Sequence, residues 1–126
     1  MLIQIDFGSE EALYVQLYNQ IIRGIATSDL RPGDSLPSVR EMAEQVGINM
    51  HTVNKAYAIL SREGYLHLDR RRGAVIDVNV EKLRAFDHLE QEMRIALAKA
   101  VCRGLDREEI HAAADEVLRE FGVERE

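Results

Sequence analysis

The chain has 126 residues, a formal net charge of −6, 46% hydrophobic residues and one cysteine. This length fits one domain with a small appendage, and the composition is that of a chain that packs a hydrophobic core. No apolar run approaches the roughly 18 residues of a membrane-spanning helix, and the N-terminal residues lack the pattern of a signal peptide. We therefore expect a cytoplasmic protein without an intrachain disulfide and without a membrane partner.

The negative charge is unevenly distributed. Residues 77–126 carry 8 Lys and Arg against 13 Asp and Glu, whereas residues 38–73 carry 6 against 4. Because the local field decides where a polyanion docks, a basic segment can bind nucleic acid within a chain that is acidic overall. We expect the acidic C-terminal part to face away from such a partner.

The first elements follow from hydrophobic periodicity. Residues 2–7 alternate weakly and predict a short strand, and residues 12–28 carry apolar side chains at helical spacing. A Pro-Gly turn at residues 31–34 ends this helix. Ser38 followed by Glu41 then predicts a capping box, in which each side chain satisfies a backbone N–H of the other, at the start of a short helix.

Residues 38–64 have the spacing of a helix-turn-helix. Ala43 is small enough for two helices to approach closely, and Gly47, four residues later, can adopt the positive φ of the turn. Six residues further, Val53 fills the space between the helices. The second helix, predicted over residues 50–63 with Asn49 as its N-cap, then presents its N-terminal residues to the major groove.

The residues at the start of that second helix are polar, small or flexible and lie mostly off its buried face. The predicted DNA-contacting residues there are Asn49, Met50, His51, Thr52, Asn54 and Lys55. Asn and Thr can bind base edges, Met can contact a thymine methyl, and the helix N-terminus attracts phosphate. Asn49 and Thr52 also fit a purely capping role, and the two roles are compatible.

Arginines flank this helix on both sides. Arg40 lies in the first turn of the preceding helix and is predicted to contact DNA; the alternative is a solvated side chain. A hairpin with strands at residues 65–68 and 74–78 places Arg70, Arg71 and Arg72 at its tip, where like charges repel unless an anion lies between them. We predict that this wing contacts phosphate or the minor groove, the alternative being a mobile turn. Gly73 serves either the turn or a close approach of backbone to phosphate.

Three segments carry a resemblance to a known family: residues 36–43 (LPSVREMA), 46–53 (VGINMHTV) and 60–66 (LSREGYL). They resemble the GntR family of bacterial transcription regulators over residues 10–76, and the short tail resembles the YtrA subfamily. The resemblance implies a homodimer that binds a palindromic operator and usually represses, often at transporter operons. The family's DNA contacts fall here on Ser38, Arg40, Asn49, His51, Thr52 and Gly73.

The chain also departs from the family pattern. Met50 and Asn54 stand where many relatives have arginines, and Ala74 replaces a threonine of the wing. These departures imply a different base preference, with the arginine-rich wing compensating in affinity.

Beyond residue 78, two helices of about 20 and 15 residues are predicted, and Asp106 with Glu109 predicts a capping box at the start of the second. The first carries one apolar stripe, formed by Leu83, Phe86, Leu89, Met93, Leu97 and Val101. Two helices alone enclose little core, so we predict that this stripe is a homodimer interface; packing on the chain's own winged helix is the alternative. The domains are then a DNA-binding domain at 1–78 and a dimerisation tail at 79–126.

Other side chains of the tail are weaker candidates for a functional site. The pairs His88/Glu92 and His111/Asp115 have i, i+4 spacing, but such pairs are common on solvated faces, and we expect no metal or other cofactor. Cys102 is interpreted as a buried small hydrophobe, the alternative being a redox sensor. The tail is too short for a large effector domain, which leaves a small, unidentified effector between dimer helices as an open alternative.

The predicted fold class is mainly α with a small β-hairpin: a winged helix-turn-helix followed by a short two-helix dimerisation tail. The predicted function is that of a homodimeric, sequence-specific regulator whose partners are double-stranded DNA and a second copy of the chain. An enzyme is not expected, because no nucleophile–base set, phosphate loop or catalytic carboxylate pair is present. The alternative is a winged helix that docks an acidic protein through its wing arginines.

Overall fold

The computed structural model describes residues 2–79 and 81–123, except for the side chains of residues 82 and 83. It divides into two compact units, Met1–Asn79 and Val80–Glu126. The first unit contains α1 (Leu13–Ala26), α2 (Val39–Val46), α3 (Met50–Arg62), β1 (Leu66–Asp69) and β2 (Gly73–Ile76), and the second contains α4 (Lys82–Cys102) and α5 (Arg107–Glu120). The fold is thus mainly α with one small antiparallel hairpin, as predicted.

The core of the first unit is assembled around α3, which packs against α1, α2 and β1. The largest fully buried side chains come from α1, α3 and β2: Leu17, Ile21, Val53, Leu60 and Ile76. Burying large aliphatic side chains contributes roughly 1.5–3 kcal/mol each relative to leaving them exposed. This burial leaves only the other side of α3 free for solvent or a ligand.

The turn between α2 and α3 has the predicted geometry. Gly47 has φ 76° and ψ 35°, the left-handed conformation that glycine adopts without a steric penalty. The N–H groups of Gly47 and Ile48 both donate to the carbonyl oxygen of Ala43, at 2.9 and 3.1 Å. Ala43 and Val53 are buried between the helices. The helix-turn-helix spacing is therefore confirmed.

The predicted capping box at the start of α2 is only half formed. Ser38 Oγ accepts a hydrogen bond from the N–H of Glu41 at 3.1 Å. Within the described part of the chain, no return bond from the Glu41 side chain to the Ser38 N–H is found. The capping box predicted at the start of α5 is complete, since Asp106 and Glu109 each accept from the other's backbone N–H.

The hairpin has a third, unpredicted neighbour. In addition to the β1–β2 ladder, Ser35 bridges Val75 in antiparallel fashion. Leu36 N–H donates to the Ala74 carbonyl and Ile76 N–H to the Asp34 carbonyl, both at 2.8 Å. The chain that leads into α2 is therefore hydrogen-bonded to β2, which fixes the hairpin relative to the helix-turn-helix.

The prediction of a strand at residues 2–7 is wrong. These residues form no ladder with another strand in the part of the chain that the structure describes. Instead, Gln16 on α1 accepts from the Asp6 N–H at 2.8 Å and donates to the Asp6 and Glu11 carbonyls, both at 3.0 Å. One turn later, Gln20 makes the same pair of bonds to the backbone of Gln4. Side-chain amides of α1 thus bind the backbone of this segment in place of a neighbouring strand.

The second unit consists of α4 and α5, which are separated by Gly104 at φ 85°. Among the side chains described between residues 81 and 123, none is buried. Cys102 is exposed, so its assignment as a buried hydrophobe is wrong. On the apolar stripe of α4, Phe86, Leu89 and Val101 are exposed. No described helix is long and apolar enough to cross a membrane.

Candidate nucleic-acid interface

The N-terminus of α3 is capped and open to solvent. Asn49 Oδ1 accepts from the N–H of His51 at 2.7 Å, which confirms the capping role. Asn49, Met50, His51, Asn54 and Lys55 are exposed, and Thr52 is half-buried. The N–H of Thr52 donates to the Asn49 carbonyl oxygen at 3.0 Å. This end therefore offers an anion the positive end of the helix dipole and the exposed side chains around it.

The solvent-facing side of α3 extends one turn further than predicted. Met50, Asn54 and Ala58 follow one another at i, i+4 spacing, and all three are exposed. Ala58 was missed because an alanine in a helix is ordinarily assigned to packing; its spacing from Asn54 is the signal that would have found it. Its small side chain leaves the surface of the helix open at this position.

Lys55 has a partner within the protein. Its ammonium nitrogen lies 4.0 Å from the centroid of the Tyr14 ring on α1, in a cation–π contact. Such contacts contribute about 0.5–1 kcal/mol at exposed sites. Lys55 therefore links α1 and α3 while its positive charge stays at the surface.

The start of α2 is tied to the middle of α3. The Tyr57 hydroxyl donates to the Pro37 carbonyl oxygen at 2.8 Å, directly before Ser38. Burial raises the pKa of the Tyr57 phenol, and the nearby Glu41 carboxylate raises it further, so the hydroxyl stays protonated and donating. Ser38 and Arg40, both exposed, are thereby held in a set position relative to α3.

The wing carries the predicted arginines and an acid among them. Arg70, Arg71 and Arg72 are all exposed. Asp69 Oδ1 accepts from the backbone N–H groups of Arg71 and Arg72, at 2.7 and 3.1 Å. The guanidinium of Arg72 also donates to the Gly33 carbonyl oxygen. The tip is therefore held by hydrogen bonds to Asp69 and Gly33 within the protein. The sequence predicted only the repulsion among the three arginines and did not predict these bonds.

Gly73 closes the wing turn with φ 76°, which favours glycine whatever else the residue does. A side chain built at this position would meet nothing within 4 Å. The positive φ of the turn is thus sufficient to explain why a glycine occupies this position. The open space around it is also compatible with the alternative, a close approach of the backbone to phosphate.

The predicted interface stripe on α4 is largely exposed. The exposed fractions are 61% for Phe86, 53% for Leu89, 40% for Met93 and 65% for Val101, while Leu97 is half-buried. The side chain of Leu83 lies outside the described residues. Further exposed apolar side chains that the stripe did not include are Ile95, Leu105, Val117 and Leu118.

No metal site is formed by the described residues: no three His, Cys, Asp or Glu side chains among them lie close enough together to hold an ion. His88 and Glu92 lie on α4, and His111 and Asp115 lie on α5. The exposed groups at the start of α3 are hydrogen-bonding side chains, and exposed arginines precede and follow the helix in the sequence.

The comparisons with known proteins agree with this geometry. The family model of bacterial regulatory proteins of the gntR family matches residues 13–76. The HTH-type transcriptional repressor YtrA of Bacillus subtilis is 32% identical over 119 residues, which are 92% of this chain and 92% of the relative.

Two solved structures have the same architecture. The fold of a transcriptional antiterminator from Listeria monocytogenes EGD-e matches with a TM-score of 0.85 at 26% identity, covering 100% of this chain and 97% of that one. YtrA from Sulfolobus acidocaldarius, a GntR-family transcription factor, matches with a TM-score of 0.67 at 37% identity, covering 81% and 99%. The described residues thus form a winged helix-turn-helix with a two-helix tail.

Proposed function

The chain belongs to the GntR family of bacterial regulatory proteins and is a DNA-binding transcription regulator; we propose that it acts as a homodimeric repressor on a palindromic operator. A regulator of bacterial transcription works in the cytoplasm, where we propose that this chain acts. The observation that carries the proposal is the open, capped N-terminus of α3, with cations on both sides of it.

Base recognition is assigned to the exposed side of α3. Asn49, His51, Thr52 and Asn54 offer donors and acceptors to base edges, and Met50 offers an apolar contact to a thymine methyl. The Asn49 cap and the burial of Val53 and its neighbours hold this helix end rigidly. A rigid helix loses little conformational entropy on binding, which favours specific over nonspecific complexes.

Backbone binding is assigned to the flanking groups. Ser38 and Arg40 at the start of α2, Lys55 on α3, and Arg70, Arg71, Arg72 and Gly73 on the wing are proposed to contact phosphate. Contacts of this kind set the register of the protein on the duplex and carry no sequence information themselves. Each neutralised phosphate releases counterions, so affinity should fall steeply with salt.

Dimerisation is assigned to the tail, residues 79–126, which contains the second unit, and DNA binding to residues 1–78. Along α4, Phe86, Leu89, Met93 and Val101 are each at least 40% exposed, and α5 adds Val117 and Leu118. Monomeric proteins rarely leave so many large apolar side chains of one helix in water. A twofold dimer covers the stripe with its own copy and doubles the number of recognition helices, which matches a palindromic site. The named relative YtrA is a repressor, which supports repression here.

The experiment selects an operator from a randomised duplex library with the purified chain and measures affinity at several salt concentrations. We expect a twofold-symmetric selected site, one dimer bound per site, and a steep loss of affinity with salt. Selection that yields no preferred sequence, or binding that does not depend on salt, would favour the alternative of a winged helix that docks an acidic protein.

A further inference from the structure

An acidic side chain lies at the base of the arginine turn. Asp69 is the last residue of β1 and stands opposite Gly73, the first residue of β2. Its Oδ1 accepts from two successive backbone N–H groups, those of Arg71 and Arg72, at 2.7 and 3.1 Å. An aspartate that binds the backbone two and three residues ahead holds the intervening residues in a turn.

The carboxylate is well suited to this task. Hydrogen bonds from the two arginine N–H groups, together with the positive charges of Arg72 and His67, hold the pKa of Asp69 below its usual value. Asp69 is therefore ionised at any pH at which the protein is expected to work. Hydrogen bonds to a charged acceptor are stronger than those to a neutral one, so the turn is held more tightly than by a neutral acceptor.

A second hydrogen bond, which we count with those to Asp69 as the two ties of the tip, holds its far end. The Arg72 guanidinium donates to the Gly33 carbonyl oxygen, and the Gly33 N–H donates to the Ile76 carbonyl of β2 at 2.8 Å. The tip is thus fixed at Asp69 on one side and through Arg72 on the other. Arg70 and Arg71 are the exposed arginines between the two ties.

We propose that Asp69 is a positioning residue for DNA binding: by binding the backbone of the tip it directs Arg70 and Arg71 toward the DNA backbone. The inference rests on the proposed function, since it concerns how the wing meets DNA. It predicts that the hydrogen bonds which Asp69 accepts from the tip strengthen the complex, although its negative charge opposes binding to a polyanion. Charge alone predicts the opposite, because a carboxylate repels phosphate and its removal should increase affinity.

Two substitutions with the same net charge separate these effects. Asp69→Asn removes the charge and keeps an oxygen that accepts from the same N–H groups, whereas Asp69→Ala removes both. Affinity is measured on the duplex selected by the wild-type protein and on a random duplex of equal length. We expect Asp69→Asn to bind the selected duplex at least as tightly as the wild type, and Asp69→Ala to bind it about tenfold more weakly than Asp69→Asn.

Two further measurements report on the mechanism. The slope of log affinity against log salt should fall by about one in Asp69→Ala and stay unchanged in Asp69→Asn. In the free protein, amide hydrogen exchange at Arg71 and Arg72 should be faster in Asp69→Ala than in Asp69→Asn. The serine hydroxyl of Asp69→Ser accepts the same kind of bond more weakly, so its affinity and exchange rates should lie between those of the other two variants. This variant also tests the proposal if Asp69→Ala does not fold.

Asp77 supplies the matched control. It lies beyond β2 on the same hairpin, is exposed, and its side chain pairs with His67 at 3.0 Å rather than with the tip. Asp77→Ala and Asp77→Asn should therefore bind DNA equally well. Equal affinity and equal salt slopes for Asp69→Ala and Asp69→Asn would overturn the positioning role while leaving the proposed function intact. Absence of specific binding by the wild type would overturn the proposed function, and the inference with it.

Discussion

The hydroxyl of Tyr57, in the middle of α3, donates to the carbonyl oxygen of Pro37, which immediately precedes the N-cap of α2. The bond is 2.8 Å long, and Tyr57 is 3% exposed. A proline carbonyl keeps its acceptor role although the residue has no N–H, and here its partner is a side chain rather than a backbone group. The bond joins the start of one helix of the motif to the centre of the other.

Tyr57→Phe should therefore destabilise the first unit while retaining its fold. The substitution keeps the ring and removes the donor to Pro37, so we expect a loss of about 1 kcal/mol in the free energy of unfolding, measured in urea. Tyr14→Phe, which keeps the ring beneath Lys55, is the control and should change stability by less than about 0.5 kcal/mol. Equal effects of the two variants would contradict the importance of the Tyr57 bond.

The same bond has a pH signature. The pKa of Tyr57 is raised in the folded chain above the ordinary value of 10.0, so above that pH the unfolded chain loses the proton first. Stability from this residue is complete below the unfolded pKa and declines as pH rises toward the folded value. The stability difference between wild type and Tyr57→Phe should therefore shrink above pH 10.0, measured by urea unfolding at increasing pH. A difference that grows in this range would contradict the assignment.

Gly47→Ala tests the turn of the motif. A side chain at Gly47 meets nothing within 4 Å, so the only penalty is its φ of 76°. The left-handed conformation costs a non-glycine residue roughly 1–2 kcal/mol, which thermal unfolding should detect. Gly47→Asn should lose less, because asparagine tolerates this conformation better. A neutral alanine variant would show that the turn relaxes to another backbone shape.

Gln16→Glu tests the attachment of the N-terminal segment. A glutamate at this buried position still accepts from the Asp6 N–H, but when ionised it cannot donate to the carbonyls of Asp6 and Glu11. We expect a loss of roughly 1–3 kcal/mol at neutral pH and faster amide exchange at Asp6. Gln91→Glu on the exposed face of α4 makes the same chemical change and should be nearly neutral. Unchanged exchange at Asp6 would show that other contacts hold the segment.

Arg40→Ala should weaken operator binding without changing the dimer. Loss of one phosphate contact is expected to lower affinity about tenfold and to reduce the salt slope by about one. Arg94→Ala removes an arginine of the second unit that pairs with Glu90, and serves as the control with wild-type affinity expected. Wild-type affinity of the Arg40 variant in a fluorescence anisotropy titration would exclude its role in binding.

The double substitution Leu89→Glu with Met93→Glu should break the dimer. Two carboxylates placed in an apolar interface cannot be desolvated favourably, so the chain should sediment as a monomer. Affinity for the selected operator should then fall far more than affinity for a random duplex, because one recognition helix per molecule remains. Gln91→Glu with Ala98→Glu, on another face of α4, should remain dimeric. A double variant of Leu89 and Met93 that still sediments as a dimer would show that another surface associates.

Local chemistry was enough to locate most elements of the candidate site. The glycine at 47, the N-caps at Ser38 and Asn49 and the apolar spacing around Val53 each act within a few residues, so the sequence alone determined the helix-turn-helix and the exposed start of α3. The capping box at Asp106 was predictable for the same reason, because its hydrogen bonds close over three positions. The hairpin was predictable because its paired residues lie only four to ten positions apart. Family membership followed from these local motifs as well.

Only the tertiary structure decided which groups meet across the chain. The bond between Tyr57 and Pro37, the stacking of Lys55 on Tyr14 and the tie from Arg72 to Gly33 join residues far apart in sequence, and no periodicity encodes such pairs. The N-terminal segment was mistaken for a strand because alternation reports an extended backbone and does not reveal whether its hydrogen-bond partners are another strand or the side chains of Gln16 and Gln20. Cys102 was misplaced for a related reason, since burial depends on what covers a helix face and not on the residue type that occupies it.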